Sequence, residues 1–163
     1  MSSLLDEVRK DQVEQRNDYI RYVVGFVFDP RGRRVVLIIK KKPKWQEGLF
    51  NGVGGKIESG EDPYETMQRE FREETGLDIY ASNWRRYGKM HGNGWECDLF
   101  SCFTDAYRFV ETKEEEEIRI VDTDEVINST IPTISNLPWL ISLALDDMFG
   151  NNTGRIFADV RYQ

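Results

Sequence analysis

The distribution of apolar and polar residues along the chain predicts interleaved strands and helices. Two segments rich in Val, Ile, Phe and Tyr, 20–29 and 34–40, flank the turn-forming residues Asp29-Pro30-Arg31-Gly32, which predicts a β-hairpin. Further strand-like segments cover 79–89, 95–104, 118–121 and 155–162.

A helix is predicted directly after a glycine-dense stretch in the first half of the chain. Asp62 suits an N-cap, Pro63 the first helical position and Glu65 the third position of a capping box. The helix should run to about residue 75, where Gly76 fits the left-handed conformation that closes many helices.

Two more helices are predicted towards the ends of the chain. Apolar residues recur amid charged ones in 3–16, which favours a short N-terminal helix, and they recur at helical spacing over 137–148. No repeat, linker or change of composition divides the 163 residues. We therefore expect one domain, residues 1–163, of the mixed α/β class.

Composition and charge narrow the class of protein. With 39% hydrophobic and 12% aromatic residues the chain can bury a core, so disordered, collagen-like and disulfide-stapled classes are excluded. The 29 acidic and 22 basic residues leave a net charge of -7, which disfavours non-specific binding to nucleic acid because that affinity comes from lysine and arginine. The acid excess raises the question of a site built from carboxylates.

The cysteines and apolar stretches predict the surroundings of the protein. Cys97 and Cys102 stand five positions apart in a predicted strand, so their side chains should lie on opposite faces and not pair. The longest apolar stretch, 137–145, is too short to cross a bilayer. Because residues 1–12 mix acids and bases without an apolar core, we expect a reducing, cytoplasmic setting without membrane association.

Three acids of the central helix point to a metal site. At about 100° per residue, Glu70, Glu73 and Glu74 share an arc of about 100° that borders the apolar face carrying Met67 and Phe71. Like charges one turn apart repel, and partial burial increases the cost of ionising them. A hard divalent cation such as Mg²⁺ compensates for both effects, since it binds carboxylates together with substrate phosphates.

Residues beside this acidic arc suit phosphate binding. Gly54 and Gly55 let the main chain approach a ligand closely, and Lys56 adds a positive charge next to them. Arg69 lies one turn before Glu73 and is placed to hold a neighbouring carboxylate.

The spacing of these residues resembles the Nudix box. The box, residues 55–77, is matched at each of its defined positions: Gly55, Glu61, Arg69, Glu70, Phe71, Glu73, Glu74, Gly76 and Leu77. The resemblance implies the Nudix fold, an α/β/α sandwich around a mixed β-sheet, and hydrolysis of a nucleoside diphosphate linked to another group.

The resemblance also implies roles for individual residues. The acids matching Glu70, Glu73 and Glu74 hold Mg²⁺ or Mn²⁺ in that family and help to activate water, while the arginine matching Arg69 orients a glutamate. The identity of the general base stays open, because the family places it in the box or on a later loop. That later loop here contains residues 114–117. Glu115, Glu116 or Glu117 is a further candidate for a metal ligand or base, and we expect Glu117 as the metal ligand.

A narrower likeness concerns the substrate. Residues 50–56 resemble a segment of MutT-like enzymes that remove oxidised purine nucleoside triphosphates, in which the counterpart of Asn51 contacts the base. The expected reaction converts a nucleoside triphosphate, such as 8-oxo-dGTP, to the monophosphate and pyrophosphate, in a monomer or homodimer. In the closest animal enzyme of that type, a pair of aspartates recognises the base. That pair has no match near 135–139 of this chain, where Asn136 or Trp139 is the candidate to take its role.

Other interpretations accompany these predictions. The enzyme alternative is a diphosphatase for ADP-ribose, a dinucleoside polyphosphate or capped RNA, and the non-enzymatic alternative is a nucleotide-sensing module. Asn51 suits a turn residue as well as a base contact. We expect Trp95 and Trp139 in the core, His91 without a functional partner and 40–44 as an exposed charged loop.

Overall fold

Within residues 19–150 and 154–163, eight strands form a sheet that begins with the predicted hairpin. The computed structural model describes residues 19–150 and 154–163, so the helix predicted over 3–16 lies outside the described residues. The strands are β1 (Ile20–Phe28), β2 (Arg34–Ile39), β3 (Phe50–Asn51), β4 (Val53–Lys56), β5 (Arg85–Gly92), β6 (Trp95–Phe103), β7 (Glu117–Asp122) and β8 (Ala158–Arg161). The helices of the described residues are α1 (Pro63–Thr75), α2 (Thr123–Ile127) and α3 (Leu137–Phe149).

The sheet is mixed, as the sequence predicts. Its hydrogen-bonded order is β3-β2-β1-β6-β5-β8, with β4 also paired to β1 and β7 also paired to β2. The pairs β1–β6 and β5–β8 are parallel, whereas the other pairs are antiparallel. The β1–β6 pairing places residues 20–28 in the middle of the sheet, where both faces are buried.

Helices cover both faces of the sheet and complete the α/β/α sandwich. The α1 residues Met67 and Phe71 are fully buried in a cluster on one face, and the apolar side of α3 packs in a second cluster on the other. Cys97 belongs to the α3 side and Cys102 to the α1 side, which confirms that the two thiols lie on opposite faces. None of the helices in the described residues is long and apolar enough to cross a membrane.

The strand predicted over 79–89 is displaced towards the C-terminus. Residues Ala81–Asn83 form a 3₁₀ turn, and β5 begins only at Arg85. Ile79 and Trp84 are nevertheless buried, and the Trp84 indole N–H donates to the Ile79 carbonyl at 3.3 Å. Core packing of a loop therefore produced the apolar pattern that predicted a strand.

The glycine-dense stretch before α1 contains two strands that the sequence did not predict. Gly54 and Gly55 lie in β4 opposite Val24 and Val23 of β1. A Cβ on Gly54 would stand 2.0 Å from the Val23 carbonyl oxygen, so glycine is needed for the close approach of the two strands. The backbone of both glycines is consequently held within the sheet by its pairing with β1.

The helix α3 buries a carboxylate where an apolar residue was expected. Met148 is 41% exposed, whereas the side chain of Asp147 is completely buried. Arg155 donates to Asp147 at 2.9 and 3.2 Å, and Arg85 donates to it at 3.3 Å. These ion pairs tie α3 to β5 and to the segment leading into β8.

Candidate active site

Local sequence determines where α1 begins and ends. The Asp62 side chain accepts a hydrogen bond from the Tyr64 N–H at 2.8 Å, and the Glu65 side chain accepts one from the Asp62 N–H at 3.4 Å. Gly76 ends the helix with φ of 74°. The predicted capping box and C-terminal glycine are therefore confirmed, and they define the ends of the helix that carries the box acids.

Arg69 organises three glutamates at the start of the site. Its guanidinium donates two bonds of 2.8 Å to the two oxygens of Glu61, one of 3.0 Å to Glu70 and one of 3.3 Å to Glu73. It also donates to the Lys56 carbonyl at 3.3 Å. The hydrogen bonds from Arg69 lower the pKa of Glu61 to about 2, so Glu61 is a permanent counter-charge that orients the arginine.

Two acids of α1, Glu70 and Glu74, have raised pKa values. Burial raises the pKa of Glu70, although Arg69 opposes the shift. Burial together with the charges of Glu114, Glu116 and Glu70 raises the pKa of Glu74 to about 7. The Glu74 Oε2 atom is buried and lacks a hydrogen-bond partner among residues 19–150 and 154–163. The site therefore concentrates negative charge that a cation would relieve.

Glu116 anchors the lysine-rich loop beside Glu74. Its Oε1 accepts from the Lys40 ammonium at 2.9 Å, and its Oε2 accepts from the Lys41 backbone N–H. Burial would raise the pKa of Glu116, but these hydrogen bonds outweigh it and lower the pKa. The expectation that 40–44 is exposed throughout was wrong for Lys40, whose side chain is only 21% exposed because of this ion pair.

An acidic cavity of about 430 Å³ extends from α1 to the loop before β7. It is lined by Glu74, by residues Glu114 to Glu116 and by Lys42. Glu117, the sequence-based candidate for a further metal ligand, instead pairs with Arg119 at 2.8 Å and has a half-exposed side chain. The structure thus brings Glu114 and Glu116 to the site in place of Glu117, because residues 114–116 form the loop that lines the cavity, whereas Glu117 is the first residue of β7 and pairs with Arg119.

The carboxylates fit a hard divalent cation chemically but are not gathered into one cluster. Within the described ranges, no three His, Cys, Asp or Glu side chains converge closely enough to hold a metal ion. The reason is the arginine: Glu70 and Glu73 turn towards Arg69, whereas Glu74 faces the acidic cavity. The unpartnered Glu74 oxygen and its raised pKa are the features that suit Mg²⁺ or Mn²⁺, with these three acids as the residues that would hold it.

A second cavity of about 860 Å³ shares Glu74 and Glu116 with the acidic one. Of the predicted substrate-binding residues, Asn51, Gly54 and Gly55 line it. Lys56 is exposed and lies outside the lining, with its backbone carbonyl bound to Arg69. A Cβ on Gly55 would stand 2.3 Å from the Glu70 carboxyl group, so the absent side chain makes room for that acid.

The surroundings of Asn51 fit both roles that the sequence leaves open, a turn residue and a contact to the base. Its Oδ1 accepts from the Gly52 N–H at 2.7 Å, as in a turn residue, and its Nδ2 donates to Gln46 at 3.2 Å. The side chain nevertheless lines the large cavity. One N–H of the amide and one lone pair stay available to a ligand.

The wall of the large cavity also contains residues whose roles the sequence did not resolve. Asn136 and Trp95 line it, whereas Trp139 is 37% exposed, so the prediction of a core position was wrong for Trp139. Tyr162 also lines the cavity. No local sequence pattern identified it, because the pairing of β8 with β5 places it there. His91, expected to lack a partner, lies 2.8 Å from Asp159 of β8.

Comparison with known proteins decides the family. A model of the NUDIX domain matches residues 18–140. The chain belongs to the Nudix family. It is accordingly a hydrolase that acts on pyrophosphate bonds, and the acids predicted from the box lie on the helix that this family match includes.

Solved structures of Nudix proteins share the fold. A structure from work on MutT of Aliivibrio salmonicida and Vibrio cholerae has a TM-score of 0.64 and 19% identity over 76% of this chain and 98% of that one. The structure of MutT from Bacillus halodurans has a TM-score of 0.62 and 23% identity, and the match covers 88% of this chain and 90% of that one. The NUDIX domain of Shewanella oneidensis NrtR, solved in complex with ADP-ribose, has a TM-score of 0.68 and 15% identity, and the match covers 80% of this chain and 88% of that one. A comparison with curated proteins gives no match.

Proposed function

We propose that this Nudix hydrolase is a Mg²⁺- or Mn²⁺-dependent pyrophosphohydrolase of a nucleoside triphosphate, with an oxidised or non-standard purine such as that of 8-oxo-dGTP as the preferred base. One observation carries the proposal. A cavity of about 860 Å³ is lined both by the acid Glu74 and by the amides Asn51 and Asn136, so that carboxylate and amide groups share one space. A nucleotide has the matching polarity, with phosphates at one end and a base at the other.

At the phosphate end, the acids of α1 supply the chemistry. Mg²⁺ or Mn²⁺, when bound, neutralises the phosphate charge and activates water. Glu70, Glu73 and Glu74 would hold the ion, and Arg69 keeps the first two in place through its bonds of 3.0 and 3.3 Å. Attack of water on phosphorus breaks one P–O bond and releases pyrophosphate and the nucleoside monophosphate.

Lys40 and Glu114 extend this end of the site. Lys40 lines the large cavity and is held by Glu116, which places a positive charge beside the box acids for substrate phosphate. Glu114 lines the acidic cavity together with Glu74, and its charge raises the pKa of Glu74 and of Glu70. We propose Glu114 as the further acid of the metal site.

At the base end, amide groups face an aromatic ring. Asn51 retains an available donor and acceptor, and Asn136 lines the same cavity with its Oδ1 atom buried and unpartnered in the described part of the chain. Trp95 lies in the wall beside them. Unpaired buried amide atoms favour a ligand that supplies the missing hydrogen bond, and a purine edge does so.

A substrate panel tests the proposal. Natural and oxidised nucleoside triphosphates, ADP-ribose, a dinucleoside polyphosphate and capped RNA are incubated with Mg²⁺ or Mn²⁺, and the products are separated by chromatography. Inorganic pyrophosphate and a monophosphate are expected. ADP-ribose belongs in the panel because a structural neighbour binds it, and its cleavage into two phosphate esters in preference to triphosphates would contradict the proposed substrate.

Variants of the helix acids test the site itself. Glu73→Gln and Glu74→Gln should each lower turnover by orders of magnitude, since a neutral amide is a poorer ligand for a hard cation, without a loss of folded structure. Glu125→Gln, an exposed residue of α2, is the control and should retain activity. Near-normal turnover in both helix variants would contradict the assignment.

The cytoplasmic setting and the monomeric or dimeric state stay predictions.

A further inference from the structure

The last strand of the sheet delivers a tyrosine to the base end of the cavity. β8 pairs in parallel with β5, with Met90 opposite Val160 and His91 opposite Arg161. The next residue, Tyr162, donates its backbone N–H to the His91 carbonyl at 2.8 Å. Tyr162 is therefore held in the cavity wall by its backbone.

The side chain of Tyr162 contacts two other residues of that wall. Its ring centroid lies 5.7 Å from that of Trp95, at an interplanar angle of 41°. Its hydroxyl oxygen accepts a hydrogen bond from the Asn136 Nδ2 atom at 3.2 Å. Tyr162 thus combines an aromatic contact with a polar contact to the amide that we assign to base binding.

A thioether on the same side identifies which end of the Asn136 amide is the NH₂ group. The Met90 sulfur lies 3.7 Å from Asn136 Nδ2. A thioether accepts hydrogen bonds but has no hydrogen to donate, so the NH₂ group faces Met90 and Tyr162 and the carbonyl oxygen faces away from them. The Oδ1 atom is then the group left without a partner in the described residues.

We infer that Tyr162 is a positioning residue for base recognition. By accepting from Nδ2, it keeps Asn136 Oδ1 oriented as a hydrogen-bond acceptor, and its ring lines the wall beside Trp95. The site then favours a planar heterocycle that offers an N–H donor to Oδ1 over one that presents only ring nitrogens with lone pairs. This inference rests on the proposed function, because it assigns the base end of the same cavity.

Direct binding measures this role independently of catalysis. Calorimetry in excess Mg²⁺ compares guanosine 5′-monophosphate, which has N–H donors, with purine riboside 5′-monophosphate, which has none on its base, and with ribose 5-phosphate. The proteins are the wild type, Tyr162→Phe and the control Tyr80→Phe. Tyr80 is 64% exposed and does not belong to the described lining of either cavity, so it controls for loss of a hydroxyl alone.

The wild type should bind the guanosine compound more tightly than the purine riboside compound. Tyr162→Phe should weaken binding of the guanosine compound by about three- to tenfold, the value of one neutral hydrogen bond, and reduce that preference. Binding of ribose 5-phosphate should not change. In an Asn136→Ala background, Tyr162→Phe should have little further effect, because the tyrosine acts through the amide.

Several results would overturn the inference. Equal affinity of Tyr162→Phe and wild type for the guanosine compound would do so, as would an equal loss of ribose 5-phosphate binding or the absence of base preference in the wild type. Additive effects of Tyr162→Phe and Asn136→Ala would show that the tyrosine does not act through the amide. Base-dependent binding without turnover of any triphosphate would contradict the proposed function while supporting the role of Tyr162.

Discussion

Replacing Arg69 by lysine tests how the site is held together. Lysine keeps the positive charge but has one compact ammonium group in place of the planar guanidinium. In the structure, the guanidinium forms two bonds of 2.8 Å with Glu61 while also donating to Glu70 at 3.0 Å and Glu73 at 3.3 Å. A single ammonium group cannot reproduce this paired geometry, so the acids lose their common anchor.

The size of the effect follows from these contacts. Hydrogen bonds to charged groups contribute about 1.5–3 kcal/mol each when buried. The side chains of Arg69 and Glu61 are 25% and 22% exposed, which weakens the bonds, and lysine retains part of the attraction. We expect a loss of about 1–2 kcal/mol in unfolding free energy, which lowers Tm by roughly 2–8 °C in a chain of this size.

Function should suffer more than stability. Partners that orient metal ligands typically change metal affinity or activity by about 10- to 100-fold. Arg69→Lys should therefore raise the Mg²⁺ concentration needed for half-maximal activity by at least about tenfold. Thermal unfolding and a Mg²⁺ titration of turnover measure the two effects separately, and a purely structural role would leave the titration midpoint unchanged.

Arg72→Lys provides the matched control on the same helix. Arg72 lies on the exposed side of α1, as its helical position predicts. The same substitution there should leave both Tm and the Mg²⁺ midpoint nearly unchanged. If Arg69→Lys and Arg72→Lys behave alike, the reasoning about the Arg69 contacts is refuted.

Three further predictions concern other parts of the structure. Gly55→Ala should lower turnover by about tenfold or more, because the new Cβ displaces a carboxyl group 2.3 Å away; turnover is the measurement. Asp147→Asn should reduce the free energy of unfolding at neutral pH by about 2 kcal/mol in denaturant titrations, since it weakens buried charge-assisted bonds. Hydrogen bonds from arginines outweigh burial and lower the Asp147 pKa below 3.8, so this stabilisation is complete above that pH and is lost as pH falls through the lower, folded-state pKa. Glu114→Gln should lower metal-dependent turnover by about tenfold, whereas Glu117→Gln should leave it within about twofold.

Each of these has a contrary outcome. For the glycine, Gly154→Ala is the control, because a Cβ there meets nothing within 4 Å, and equal activities of the two variants would contradict the close contact. For Asp147, a stability difference that persists unchanged at the acid limit would contradict the assigned ionisation. For the loop acids, a greater loss in Glu117→Gln than in Glu114→Gln would restore the original candidate.

Where local patterns control structure, the sequence is a sufficient guide. The capping residues of α1 and Gly76 determine the ends of that helix, because their hydrogen bonds span only a few residues. The arc of Glu70, Glu73 and Glu74 follows from helical geometry once those ends are set. Alternation along β6 likewise placed Cys97 and Cys102 on opposite faces.

Sequence patterns misled where different structures bury the same residue types. Ile79 and Trp84 looked like strand residues, yet they are buried around a 3₁₀ turn, since apolar side chains fill a core from any backbone conformation. Asp147 is buried in α3 because two arginines outside the helix pair with it: Arg85, 62 residues earlier, and Arg155, 8 residues later. Neither partner is visible from helical spacing.

Short-range spacing was enough to predict the box and the helix that carries the acids, and the resemblance to the Nudix box then implied the mixed sandwich. The loop acids that join them follow from long-range packing: Glu116 is held by Lys40, Glu114 lines the acidic cavity, and Glu117 pairs with Arg119. This packing also decided that Tyr162 meets Asn136, 26 residues earlier. The physical reason is that strand pairing and packing join residues remote in sequence, and no local pattern encodes the distance between them.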